Sequence, residues 1–216
     1  MKAKVIELPR KPVYRRFETN IDFFSIFKIL EKTYDTCYLL ESLGEENYDS
    51  RYSVMGFQPD ALYRSVNGKL FIDTQEYECE NPYYELRRIF PQDVLSRNYA
   101  GGLVGNISYD AMTLFEPTLS INKLEDFGQF ELGLYTDGLV LDKMTGEIYY
   151  FHFVNDRMKE IQKLVHETDL TSIATKTEVK NLGHSRTKEE HRKMVEQAIE
   201  EIKAGNTFQC QIGFRM

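Results

Sequence analysis

The segment Y-L-L-E-S-L-G-E-E-N-Y-D-S-R-Y-S-V-M-G (residues 38–56) predicts a β-hairpin around which the rest of the chain can be arranged. A short apolar run ends at Glu41 and Ser42 and is followed by a polar turn. The chain then returns through Arg51 and Ser53 into a second apolar run. Two apolar runs joined by a polar turn are typical of paired antiparallel strands.

The polar ends of these two strands carry the groups that a small zwitterion requires. Glu41 offers a carboxylate for an ammonium group, Arg51 a guanidinium for a carboxylate, and Ser42 and Ser53 offer hydroxyls that orient the ligand. The simpler interpretation is a solvated hairpin with one Glu–Arg surface pair, which contributes little stability. The residue pattern alone favours that simpler interpretation.

The composition is that of a soluble globular protein, with 216 residues, 42% hydrophobic and 28% charged. A net charge of −7 leaves no basic surplus to neutralise phosphates, so nucleic acid is not an expected partner. No signal peptide or membrane span is expected. The three cysteines are widely spaced and lack a metal-ligand pattern, which predicts reduced thiols and a cytoplasmic location.

Two further hairpins are predicted along the chain. Ala61–Val66 and 69–73 flank Asn67-Gly68, the preferred two-residue hairpin turn. The third hairpin pairs residues 131–142 with residues 147–154 through a turn at 143–146. A short strand is also expected at residues 3–8, followed by a basic, solvated arm at residues 9–17.

Helices are predicted between these hairpins, and each has a start signal or an apolar stripe. They begin at Asn20, at Asn81-Pro82, near Met158, and at the Thr187–Glu190 capping box. The first three extend to about residues 32, 90 and 167, and the fourth stops at Gly205, a C-cap glycine. Strands outnumber helices in the first part of the chain. The predicted fold class is therefore α+β, with largely antiparallel sheets and flanking helices.

The domain boundaries follow from composition. Residues 1–168 are expected to form one domain, and residues 169–186, rich in Thr, Lys and Glu, a linker. Residues 187–216 begin a second domain that the chain does not complete. Residues 207–216 alternate apolar and polar side chains, which predicts a strand with Gln209 on its non-core face.

No sequence motif identifies a catalytic centre by itself. The chain has no G-x-S-x-G elbow, no H-E-x-x-H pair and no Gly-Lys-Ser/Thr phosphate loop. Chemistry alone therefore supports an α+β domain with a small polar-ligand site, and no metal site is predicted in this chain.

Four segments together resemble the N-terminal half of the large subunit, component I, of anthranilate synthase. They are L-L-E-S (39–42), R-Y-S-V-M-G (51–56), G-G-L-V-G-N-I-S-Y-D (101–110) and I-K-A-G-N-T-F-Q-C-Q-I-G-F-R-M (202–216), and they occur in the family's order. The same segments are similar to the related aminodeoxychorismate synthase. The resemblance extends over essentially the whole chain and implies an anthranilate synthase component I-like fold, truncated in this chain.

The resemblance implies a lyase that converts chorismate and ammonia to anthranilate and pyruvate in tryptophan biosynthesis. A glutamine amidotransferase subunit would deliver the ammonia, and Mg2+ would act in the full-length enzyme through ligands outside this chain. The resemblance also implies that tryptophan inhibits the enzyme by binding the hairpin. Glu41 and Ser42 would contact tryptophan, with Arg51 and Ser53 lining the same pocket.

The resemblance also gives Gln209 a catalytic interpretation. Family members that add water to chorismate carry a Lys at the matching position, where it can act as a general base. An amide cannot act in that way, so Gln209 favours an ammonia-using member. The segment departs from the family wording, because Asn206 replaces an acidic residue and residues 212–216 match loosely. A solvent-facing Gln on a strand is the structural alternative.

Two alternatives to anthranilate synthase remain. One is component I of aminodeoxychorismate synthase, in the folate pathway. The other is a non-catalytic module that binds an amino acid through the same hairpin. Because the expected chorismate and Mg2+ residues lie beyond residue 216 in the family, the 216-residue chain alone is expected to be inactive.

Overall fold

The structure is a computed structural model that describes residues 2–42, 50–96, 99–116, 118–119, 128–168 and 179–215. The chain divides into two compact units, residues 1–173 and residues 174–216. The first unit holds every strand found in the described residues, and the second is built on one long helix.

The first sheet of the first unit contains five antiparallel strands within the described ranges, in the order β1-β10-β9-β3-β2. In that order the strands are Val13–Arg16 (β1), Glu147–His152 (β10), Asp137–Asp142 (β9), Tyr52–Phe57 (β3) and Cys37–Glu41 (β2). The hairpin predicted at residues 38–56 is therefore formed by β2 and β3 at one edge of this sheet. Residues 43–49 of its turn lie outside the described residues.

The second sheet also contains five antiparallel strands among the residues described, in the order β6-β5-β4-β8-β7. They are Gln75–Tyr77 (β6), Lys69–Ile72 (β5), Ala61–Val66 (β4), Phe130–Tyr135 (β8) and Gly102–Ile107 (β7). The predicted β4–β5 hairpin is confirmed. Asn67 (φ 52°) and Gly68 (φ 76°) both adopt the left-handed conformation that a two-residue hairpin turn requires.

The predicted third hairpin is wrong in its first arm. Residues 131–142 were expected to form one strand, but the chain passes from the second sheet to the first at Thr136, between β8 and β9. The Thr136 hydroxyl hydrogen-bonds the Asp60 carboxylate, and its carbonyl accepts the Phe153 N–H at 2.9 Å. These two bonds satisfy the buried polar groups at the crossing.

Helices cover the sheets and close both cores. In the described residues they are α1 (Phe23–Thr33), α2 (Pro82–Ile89), α3 (Met158–Glu167), α4 (Lys188–Lys203) and a 3₁₀ helix, Tyr109–Leu114. Asn81 caps α2 as predicted, since its side chain accepts the Tyr83 and Tyr84 N–H groups. Helix α1 begins later than predicted because Asp22, rather than Asn20, accepts the Ser25 N–H at 2.9 Å.

Each sheet has its own hydrophobic core. Helices α1 and α3 pack on the first sheet around Ile26, Leu30, Met55, Leu139 and Ile161, all fully buried. Helix α2 and the 3₁₀ helix pack on the second sheet around a separate set: Tyr63, Leu70, Leu86, Ile89, Leu114, Phe130, Leu132 and Leu134. The α+β class with largely antiparallel sheets and flanking helices is confirmed.

The N-terminal segment differs from its prediction. Residues 3–8 form no strand, whereas Val13–Arg16, predicted as part of a solvated arm, pairs with β10. Arg15 and Arg16 keep their charges at the sheet edge by pairing with Asp156 (2.7 Å) and Glu147 (3.3 Å). The basic residues of this segment therefore belong to an edge strand and not to an unpaired arm.

The second unit consists of α4 and the segment that follows it. The predicted capping box is confirmed, with Thr187 and Glu190 bonding each other's backbone N–H groups, and Gly205 adopts φ 79° just after the helix. The strand predicted at residues 207–216 does not form in the described part, and Phe208 is fully exposed. A strand needs a neighbouring strand to hydrogen-bond its backbone groups. Within the described residues, the hydrogen bonds that this segment makes to residues before the helix are two, both between Arg215 and Ser185.

A buried ion pair joins β9 to the segment before α3. Arg157 contacts Asp137 through two N–H groups, at 2.5 and 3.0 Å, and the Tyr150 hydroxyl donates to the same carboxylate at 2.7 Å. The guanidinium also lies 4.7 Å from the centroid of the Phe57 ring. Removing one partner of such a pair leaves a buried charge without compensation.

We expect Arg157→Gln to lower the free energy of unfolding by about 3 kcal/mol, because it leaves the Asp137 carboxylate buried and unpaired. Urea denaturation followed by circular dichroism measures the effect. Lys69→Gln is the matched control, since it removes a cation from the exposed Lys69–Glu76 pair and should cost about 0.5 kcal/mol. Equal effects of the two substitutions would contradict this account.

Candidate functional site

The β2–β3 hairpin brings Glu41 and Ser53 together. The two residues are opposite each other in the register of the strands, so their side chains lie on the same face of the sheet. Met55, two residues after Ser53, lies on that same face in the core beneath α1 and α3. Glu41 and Ser53 therefore lie on the same sheet face as the apolar core, nearer the end of the hairpin.

Ser53 is the most unusual polar residue at this end of the sheet. It is completely buried, and its hydroxyl has no hydrogen-bond partner among the described residues. The residue opposite it on β9 is Leu141, which offers no polar side chain. A buried hydroxyl without a partner costs stability, so this position calls for an explanation beyond packing.

Arg51 is held by Asp142, the last residue of β9. Its Nε and one terminal nitrogen donate to the two carboxylate oxygens at 3.0 and 2.6 Å, which is the bidentate geometry of strong arginine–carboxylate pairs. Its guanidinium also lies 5.0 Å from the centroid of the Tyr52 ring. Two of the donors that sequence reasoning assigned to a ligand are thus engaged with Asp142.

Lys143 is a further charged residue at the hairpin end, and sequence reasoning did not identify it. It begins the turn between β9 and β10, its ammonium donates to the Ser42 carbonyl, and its backbone N–H donates to the Arg51 carbonyl at 2.8 Å. A cation therefore stands beside the end of β2 in addition to Arg51. No local signal indicates it, because Lys143 reaches the hairpin only through the β3–β9 pairing.

The hairpin end thus combines two carboxylates, two cations and a buried hydroxyl, and one carboxylate, Asp142, is paired with Arg51. Glu41 has an exposed side chain that can meet an ammonium, Lys143 can meet a carboxylate, and Ser53 can accept or donate one hydrogen bond. These are the groups that an amino acid requires at its polar end. The structure brings Glu41, Ser53 and Ser42 to the same end of the first sheet as Arg51.

Gln209, the residue predicted to be catalytic, lies in the second unit. Its side chain is exposed, and its backbone carbonyl accepts the Thr207 hydroxyl at 3.0 Å. Gln209 was predicted to lie on the non-core face of a strand. That prediction is wrong, because residues 207–215 do not pair with another strand.

The described residues do not form a metal site by themselves, because no three His, Cys, Asp or Glu side chains cluster in a way that would hold an ion. Octahedral Mg2+ is bound through oxygen ligands, and no such set is assembled in the described part of this chain. Among the described helices, none has the length and apolar character needed to cross a membrane.

Comparison with known proteins gives a family match over most of the chain. The model described as chorismate binding enzyme matches residues 35–216. Anthranilate synthase component 1 of Leptospira biflexa is 44% identical over 212 residues, which cover 97% of this chain and 46% of that protein. Anthranilate synthase component 1 of Methanothermobacter thermautotrophicus is 34% identical over 206 residues, which cover 93% of this chain and 43% of that protein.

A solved structure shares the fold. Anthranilate synthase component I from Streptococcus pneumoniae TIGR4 superposes with a TM-score of 0.55 at 18% identity, over 76% of this chain and 41% of that chain. The chain therefore spans under half the length of the relatives it matches.

The Arg51–Asp142 pair generates a pH-dependent prediction. The hydrogen bonds from Arg51 lower the pKa of Asp142 below its ordinary value of 3.8, although its partial burial acts in the opposite direction. A lowered folded-state pKa gives stability that is present above pH 4 and lost as the pH falls through the lowered value. We expect Asp142→Asn to cost about 1–2 kcal/mol at pH 7.

Urea denaturation of the wild-type chain and the Asp142→Asn variant between pH 7 and pH 2.5 measures this difference. The difference in free energy of unfolding should stay constant down to about pH 4 and shrink below that value, because protonated Asp142 no longer accepts two charged hydrogen bonds. A difference that is unchanged at the lowest pH would show that the carboxylate charge is not what stabilises the pair.

Proposed function

The chain belongs to the chorismate-binding enzyme family, and from that premise we propose that it is the N-terminal part of an anthranilate synthase component I. The proposed enzyme converts chorismate and ammonia to anthranilate and pyruvate, and a glutamine amidotransferase subunit supplies the ammonia. The observation that carries the proposal is the similarity to anthranilate synthase component 1 of Leptospira biflexa along nearly the whole of this chain.

The proposal concerns a longer enzyme than the 216 residues described. The relatives are more than twice as long as the matched region. We propose that the groups that bind Mg2+ and most of those that bind chorismate lie in the remainder. Within this chain, Gln209 supports the ammonia-using branch, because a neutral amide cannot remove a proton from water as a general base.

We propose that the hairpin end is a tryptophan feedback site. Three features of the geometry support this: the exposed Glu41 carboxylate, the Lys143 ammonium beside Ser42, and the buried Ser53 hydroxyl without a partner in the described residues. Glu41 would bind the amino group of tryptophan and Lys143 its carboxylate. Arg51 would line the pocket through its contact with Asp142, which fixes the start of β3.

A stand-alone amino-acid-binding module is the second candidate function, and one observation favours it. The groups proposed to bind the zwitterion all lie in the first unit, which has its own hydrophobic cores. Calorimetry with tryptophan on the 216-residue chain separates the two candidates. Binding at micromolar concentration by this chain alone favours the module, whereas no binding favours a pocket that needs further residues.

The first prediction from the proposed function concerns catalysis. The 216-residue chain should form no anthranilate from chorismate, ammonium and Mg2+, whereas the complete open reading frame that contains it should form anthranilate and restore growth of a tryptophan auxotroph. Anthranilate fluorescence measures both. Turnover by the 216 residues alone would contradict the assignment of catalytic groups to the remainder, and 4-amino-4-deoxychorismate as the product would place the enzyme in the folate branch.

The second prediction concerns inhibition of the enzyme made from that complete reading frame. Glu41→Gln should raise the tryptophan concentration for half inhibition tenfold or more, because a charged hydrogen bond to the ammonium is lost, and leave turnover without tryptophan unchanged. Lys143→Gln should act in the same direction. Glu18→Gln, which removes an exposed carboxylate elsewhere in the first unit, is the control and should leave inhibition unchanged.

A further inference from the structure

The second sheet carries an apolar cavity that is separate from the hairpin site. It has a volume of about 300 Å³ and lies between α2, the 3₁₀ helix and strands β7 and β8. Buried Phe130 and Leu132 of β8 contribute to its lining from the sheet, and Leu86 of α2 and Leu114 of the 3₁₀ helix contribute from above.

Aromatic rings form part of the cavity wall. The Tyr83 and Phe115 rings meet edge to face, with centroids 4.7 Å apart and planes at 73°. Phe115 remains 44% exposed and Ile107, on the same cavity, 58% exposed. Apolar side chains that line a concave surface and stay exposed are typical of a ligand pocket rather than of a finished core.

Arg87 supplies the charge at this cavity. Its side chain lines the pocket, is exposed, and makes no hydrogen bond or ion pair with any described residue. The neighbouring Arg88 differs, because it is paired with Glu85 at 2.7 Å and donates to the Ala3 carbonyl. The Gln92 amide, also at the cavity, donates to the Phe90 carbonyl at 3.0 Å, so Arg87 is the charged residue at this cavity whose side chain can donate to an anion.

We propose that this cavity binds a small aromatic carboxylate, with the ring packed against the Tyr83 and Phe115 side chains and the carboxylate on the Arg87 guanidinium. Three properties of the site select that chemistry. Its volume is at the lower end for ligand pockets and suits one ring system. Its walls favour an edge-on or stacked ring. Its cation favours a planar anion that accepts two parallel hydrogen bonds, and it disfavours a cationic ligand.

The site differs in place and chemistry from the proposed feedback site. The cavity is built on β7 and β8 of the second sheet, while the hairpin end is built on β2 and β3 of the first sheet. Binding at one can therefore be tested without the other, and failure here leaves the proposed function untouched.

Benzoate and benzamide are the probes for the experiment, because they have the same shape and differ in charge. Each is titrated into the ¹⁵N-labelled 216-residue chain, and backbone amide shifts are followed. Benzoate should bind with a dissociation constant of about 1 mM, as expected for a ligand of this size, and should shift signals of α2, the 3₁₀ helix and β7. Benzamide should bind about tenfold more weakly.

Two variants separate the role of the charge from that of the cavity. Arg87→Gln should weaken benzoate about tenfold and leave benzamide unchanged, since only the charged hydrogen bonds are lost. Ala111→Leu should weaken both probes, because the added atoms occupy the cavity. Lys163→Gln is the control for net charge, since this exposed residue lies on α3 above the first sheet. Circular dichroism confirms that each variant is folded.

Several outcomes would overturn the proposal. Equal binding of benzoate and benzamide, or benzoate binding that survives Arg87→Gln, would show that Arg87 does not select a carboxylate. Shifts confined to other elements, or no binding at about 20 mM, would show that the cavity is not a site for this class. Concentration-dependent shifts of the same residues without ligand would assign the surface to a second copy of the chain.

Discussion

The passage of the chain from one sheet to the other at Thr136 is the constraint on which the first unit depends. Residues 130–135 and 137–142 form interior strands of different sheets, so each sheet's pairing is tied to the other's. The Thr136 hydroxyl donates to Asp60, and the charge of the next residue, Asp137, is balanced by Arg157, while Tyr150 donates a hydrogen bond to it. A buried carboxylate is tolerated there because it accepts charge-assisted and neutral hydrogen bonds from both partners. The crossing and the ion pair therefore work as one structural element.

Features that depend on local chemistry could be predicted from the sequence. Features that depend on pairing between strands distant in the sequence could not. The turn and capping signals were recognised because each depends on backbone groups within a few residues of it. They are Asn67-Gly68, Asn81 and the Thr187–Glu190 capping box. The crossing at Thr136 was missed because a single residue separates β8 from β9 and no proline marks the boundary between them. Strand β1 was missed because its arginines resemble the residues of a solvated arm. Residues 207–215 were wrongly predicted as a strand, because alternation of apolar and polar side chains indicates a strand only where a partner strand is present.

The candidate site shows the same division. Glu41, Ser42, Arg51 and Ser53 were found from the sequence because they lie on one hairpin, whose register follows from its own two strands. Asp142 and Lys143, which hold Arg51 and the end of β2, come from about ninety residues further along. They reach the hairpin only through β3–β9 pairing, and a single sequence carries no signal for that contact. The hairpin end could therefore be identified from the sequence, whereas the charged residues that the rest of the sheet brings to it could not.

The Ser53 hydroxyl, which has no hydrogen-bond partner among the described residues, is the observation that most supports the proposed hairpin site. Burying a hydroxyl without a hydrogen bond costs about 1–3 kcal/mol, and alanine at the same position would avoid that cost while keeping the strand. Its neighbours on β3 are packed apolar side chains, so the surrounding structure does not require a polar group there. We propose that a bound amino acid supplies this hydrogen bond, in which case the affinity depends in part on that contact.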